Sequence, residues 1–139
     1  MKYTYRELFE GLVANNSYSE IFDAAREICD RLESAVGYDM IMQLLCVGCA
    51  VDGSVNTVEH QMVSRLLYDN SGIDAFVRLV NSFNTAYMFE STAEYFSHQS
   101  DSVAEDAIKL LIAVYAAKGK MSSREEDFLR RLWNYKFDR

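Results

Sequence analysis

The sequence predicts an all-α fold, a compact bundle of about seven to eight helices with two pseudo-symmetric helical hairpins. Three observations carry this. The chain has no proline. Its apolar residues recur at helical spacing, and alternating strand-like runs are absent. Segment after segment opens on a small polar residue with glutamate three positions later, the pair that satisfies the free N–H groups of a first helical turn. In order, the expected helices are 5–14 behind Thr4-x-x-Glu7, 18–35 behind Ser17-x-x-Glu20, and 38–52, whose stretch Met40–Val51 is apolar nearly all round. Next come 57–69 behind the weaker pair Asn56-x-x-Glu59, the short 74–82, and the aromatic-rich 85–98. The last two are 102–117 behind Ser102-x-x-Glu105, with Ile108–Ala117 again apolar nearly all round, and 123–135 behind Ser122-x-x-Glu125. The connections are short, as between antiparallel neighbours.

At 139 residues the chain fits a single domain, 1–139. Half of it is hydrophobic, too much for a disordered chain. No apolar run approaches the ~20 residues of a membrane span, and Met40–Val51 is interrupted by Gln43. The opening Met-Lys-Tyr-Thr-Tyr-Arg-Glu has no signal-like apolar stretch, and three cysteines are an odd count, so reduced thiols and a cytoplasmic location are expected. The net charge of −7 is uneven: residues 1–108 hold 17 acids and 6 bases, a net −11, whereas 109–139 hold 4 acids and 8 bases, a net +4. Most of the molecule would repel a phosphate backbone, so nucleic-acid binding is excluded as the main role. The basic segment (Lys118, Lys120, Arg124, Arg130, Arg131, Lys136, Arg139) can fold back on the acidic part or face an acidic partner, and the acidic surface suits a basic protein.

A shift of 66 residues aligns Leu44–Leu67 with Leu110–Trp133 without a gap. It matches Leu44/Leu110, Leu45/Leu111, Ala50/Ala116, Gly53/Gly119, Glu59/Glu125, Arg65/Arg131 and Leu66/Leu132, with Val55/Met121 and Met62/Phe128 alike in character. Each unit reads as a buried helix, a glycine able to turn left-handed, an inward loop residue and a capped helix. The stretch Leu44–Glu59, with Asp52-Gly53-x-Val55-x-x-x-Glu59, resembles the signature of tellurite-resistance TerB-like domains. The second copy keeps Gly119, Met121 and Glu125 but has Lys118 where aspartate would stand. The resemblance implies a compact helical fold, acidic residues proposed in some members to hold metal, and non-enzymatic service in stress, membrane-associated and defence systems.

Asp52-Gly53 and Glu59 also match the second half of a calcium-binding EF-hand loop, but the earlier ligand positions fall on Gly48 and Ala50, which excludes that site. A weaker divalent-cation site at Asp52 and Glu59 competes with a purely structural reading, in which Glu59 caps and Asp52 closes a turn. Asp52 ends a helix, where an anion is disfavoured by ~0.3–1 kcal/mol, so loop donors or a cation must offset it. Cys46-x-x-Cys49 lies mid-helix in an apolar run and reads as core rather than zinc or redox chemistry. No cofactor is otherwise called for, and His60 and His98, the only histidines, belong to no nucleophile or metal motif; the chain is not expected to be an enzyme. Between Phe83 and His98 the aromatics occupy three sectors of a helix, more than one packed side can bury. A partner-binding surface is expected there from Tyr87, Glu90, Glu94 and Tyr95, framed by Glu105 and Asp106. Two readings follow: a TerB-like protein-binding module of a bacterial stress or defence system, in one form cation-linked, or an acidic immunity-type inhibitor covering a basic toxin or nuclease.

Overall fold

The computed structural model describes residues 5–137, all helices and connections. The helices are α1 (Tyr5–Asn15), α2 (Tyr18–Val36), α3 (Tyr38–Ala50), α4 (Thr57–Leu67), α5 (Ile73–Ser82), α6 (Ala86–Ser97), α7 (Asp101–Lys118) and α8 (Ser123–Lys136). Thr4, expected as the first cap, and Arg139 of the basic segment lie outside the described residues. Complete capping boxes close at Ser17/Glu20, Asn56/Glu59 and Ser122/Glu125, so the asparagine pair is a full cap. The fourth expectation needs correction. Ser102 lies inside α7, and Ser100 is the cap, its hydroxyl accepting from the Val103 N–H at 3.3 Å. Two serines flank Asp101, and the helix starts from the earlier one, which adds a turn's beginning without burying a polar group.

α2 shows how a single-faced helix packs: Ile21, Phe22, Ala25, Cys29 and Leu32 form one stripe and are buried, while the intervening acids stay in water. α3 and α7 are different. Leu44–Ala50 and Leu110–Ala116 are buried without a break, so these helices have no outer face over those turns. α7 accordingly touches α1, α2, α3, α4, α6 and α8, and α3 touches α2, α4, α5, α6 and α7. The two meet at Gly48. Tyr115 Oη donates to the Gly48 carbonyl at 2.8 Å, and a Cβ on Gly48 would stand 2.4 Å from Leu111 Cδ2. Any side chain at this position would force Leu111 to shift.

The repeat is visible as geometry. Gly53 and Gly119 both take positive φ (80° and 89°), each N–H reaching the carbonyl of the matched alanine, Ala50 or Ala116, at 3.0 Å. Val55 and Met121 then pack onto the core from the two loops. Beyond that point the hairpins diverge. α4 lies on α7, whereas α8 packs chiefly on α6 and α7, with the rings of Phe89 and Phe128 6.4 Å apart.

Candidate functional site

The two hairpins bring the starts of α4 and α8 to the end of α7. Glu59 and Glu125 each occupy the third position of a capping box, and one oxygen of each is used there: Glu59 Oε1 accepts from the Asn56 N–H at 3.3 Å, and Glu125 Oε1 from the Ser122 N–H at 2.8 Å. Their other oxygens face Lys118. Its ammonium hydrogen-bonds Glu125 Oε2 and lies 3.6 Å from Glu59 Oε2. All three side chains are sealed from water, Lys118 at 3%, Glu59 at 1% and Glu125 at 0% exposure. The ring of Tyr115 lies 5.2 Å from the ammonium, and the C-terminal carbonyls of α7 favour a cation at this end.

Two carboxylates share one lysine, and the electrostatics reflect it. Burial pushes the Glu59 carboxyl above its ordinary range; Lys118 and the Asn56 N–H oppose the shift, and Glu125 and Asp52 add to it. Glu59 Oε2 is buried without a hydrogen-bond partner. Asp52, half-buried in the turn after α3, has a long 3.5 Å contact from Ser54 Oγ. The structure thus places a protein ammonium against the carboxylate that the sequence paired with Asp52 for a cation. Among the described residues no group of three or more His, Cys, Asp or Glu side chains gathers as a metal-ion site. Sequence reasoning missed Lys118 as a partner of the two cap glutamates. The signal was present, since it stands at the repeat position of Asp52 with the opposite charge.

The outer face of α6 carries the second candidate. Tyr87 is 76% exposed, and with Glu90, Ser91, Glu94, Tyr95 and His98 it lines an open groove of about 420 Å³. The other side of the helix is packed: Thr92, Ala93, Phe96 and Ser97 are buried, and Phe89 is half-buried. Glu90 pairs with Arg131 at 3.1 Å and accepts from the Tyr135 hydroxyl, and Glu94 lies 3.9 Å from His98. The expected frame is divided. Asp106 points to α2, where Arg31 grips both its oxygens at 2.9 and 3.1 Å. Glu105 precedes by one turn Lys109, which lines an apolar slot between α1 and α2. The turn of α7 thus carries Asp106 to α2 and away from the groove on α6.

Cys29, Cys46 and Cys49 are free and buried; burial pushes Cys29 up to about 11 and Cys46 up to about 12, so neither is a thiolate at neutral pH. His60 Nε2 sits 3.1 Å from the Ser71 carbonyl, its ring against Phe76. No helix among the described residues is long and apolar enough to cross a membrane. No family model, curated protein or solved structure matches this chain.

Proposed function

We propose that this chain is a non-enzymatic, TerB-like helical module of a stress or defence system, acting by binding a basic protein through the outer face of α6. The groove of Tyr87, Glu90, Glu94 and Tyr95 carries the reading. Aromatic faces and carboxylates together are the combination that holds a lysine or arginine side chain, by cation–π attraction and ion pairing. The buried cysteines and the enclosed Glu59–Lys118–Glu125 cluster offer no accessible nucleophile or general base, which supports binding over catalysis. For a divalent cation to use Asp52 and Glu59 it must displace Lys118 from Glu59, so the cation-linked form demands a rearrangement.

The immunity-type reading rests on a different observation, the net −11 over residues 1–108. It spreads binding over a broad acidic surface and makes association steeply dependent on salt. Calorimetric titration with lysine- and arginine-rich peptides separates the two. Binding that falls at least tenfold in Tyr87→Ala and in Glu94→Lys fits the α6 groove. Affinity indifferent to both substitutions but lost as salt rises fits the broad surface, and absence of binding overturns both.

A further inference from the structure

On the opposite flank of α6 lies a second concavity, about 300 Å³, between the end of α3, the start of α6 and α8. We propose that it binds a small organic oxyanion, a carboxylate or phosphate carried on an apolar body. α8 presents Arg124, Phe128 and Arg131 to it, spaced four and three residues apart and so on one face of the helix. Phe89 of α6 meets Phe128 to make an aromatic floor, and Asn84 and the Gly53 backbone complete the wall.

The charges in this cleft are unequal. Asp127, also in the lining, is paired with Arg130 at 2.8 Å. Arg131 is paired with Glu90 at 3.1 Å, both side chains about half in water, so solvent and ligand alike compete for that bridge. Arg124 makes no hydrogen bond or ion pair with any described residue, and its Nη1 is 3.7 Å from where a Cβ on Gly53 would stand. One unpaired guanidinium therefore lines the same cleft as two aromatic rings, on a chain whose net charge of −7 supplies no general attraction for anions. A guanidinium fork recognises carboxylate and phosphate in the same planar, two-pronged way, and the low dielectric of the rings strengthens the contact. The apolar body of the ligand fits against half-buried Phe89, which Phe128 backs from the core. The volume is at the small end of ligand sites and admits one ring with its substituent.

The test is a two-dimensional amide NMR titration of the full chain at constant ionic strength. Phenyl phosphate and benzoate serve as probes, inorganic phosphate as the anion without a body, and benzyl alcohol as the body without an anion. The expected result is saturable shifts at Gly53, Asn84, Arg124 and Phe128 with one or both aromatic anions, weakened at least tenfold in Arg124→Gln. Arg124 is exposed, so the variant folds, and an unchanged melting temperature verifies this. Whichever of phenyl phosphate and benzoate binds tighter identifies the source of the oxyanion. Shifts that stay linear, that persist in Arg124→Gln, or that benzyl alcohol reproduces equally overturn the proposal. Because the Tyr87 and Glu94 variants leave this cleft intact, failure here and failure of the α6 groove are told apart.

Discussion

Lys118 is the side chain on which most of the interior polarity depends. A buried ion pair contributes little net stability against an apolar substitute, but removing one partner strands the others. Lys118→Met strands two carboxylates at once, and a loss of about 3–5 kcal/mol at neutral pH is expected, read by urea unfolding. The loss should shrink on acidification, because Glu59, whose carboxyl burial holds above its ordinary range, no longer needs the ammonium once protonated. Glu59 has its own pH signature. Its carboxyl is raised above 4.5 in the folded state, chiefly by burial, so the folded chain holds that proton more tightly than the unfolded one. Its contribution is therefore greatest below the unfolded value and declines as pH rises from 4.5 through the folded value. Glu59→Gln should flatten the stability–pH curve in that window, while Glu125→Gln, which breaks the hydrogen bond to Lys118, costs more at pH 7; chemical unfolding at pH 4, 5.5 and 7 distinguishes them. The glutamates themselves were legible as caps from Asn56-x-x-Glu59 and Ser122-x-x-Glu125, because capping is local. Their junction with Lys118 was not, because it depends on how two hairpins meet.

At the scale of elements the sequence was most informative where the signal is periodic. Among the described residues, eight helices, their short connections and the unbroken burial of Leu44–Ala50 and Leu110–Ala116 follow from spacing, glycines and caps. The exceptions have local causes: Ser100 and Ser102 are both good caps two residues apart, and the helix starts from the earlier one, while the turn of α7 sends Asp106 to Arg31 of α2. The approach of α3 to α7 was hidden as well, since Gly48 resembles any glycine within a helix until Leu111 is seen opposite. Gly48→Ala should cost about 1–3 kcal/mol through overpacking against Leu111, beyond any gain in helix propensity. Adding Leu111→Ala makes room for the new methyl. The pair should therefore be less damaging than the sum of the two single changes, a sub-additivity that thermal melts of the three variants would reveal.

For the whole molecule, charge and core are arranged on different principles. The C-terminal basic segment folds back on the acidic remainder through Arg131–Glu90 and Lys136–Asp101, so part of the −11/+4 asymmetry is spent internally. The candidate α6 groove was legible from its aromatic excess, because one helix cannot bury three sectors. The neighbouring cleft was not, because its walls come from α3, α6 and α8. The core, by contrast, is organised round one late element. α7 begins at Asp101 and touches six of the other seven helices among the described residues. A fragment ending at residue 100 should therefore show no cooperative thermal transition by circular dichroism, despite containing six of the eight helices. This has a consequence for biosynthesis. At ribosomal speeds of about 5–20 residues per second, the hundred residues before α7 emerge over roughly 5–20 s with the faces of α1 and α2 that pack on α7 still uncovered. During that interval the nascent chain is a substrate for holding chaperones, and it matures in one late step when α7 slides beneath α1 and α2 and across Gly48.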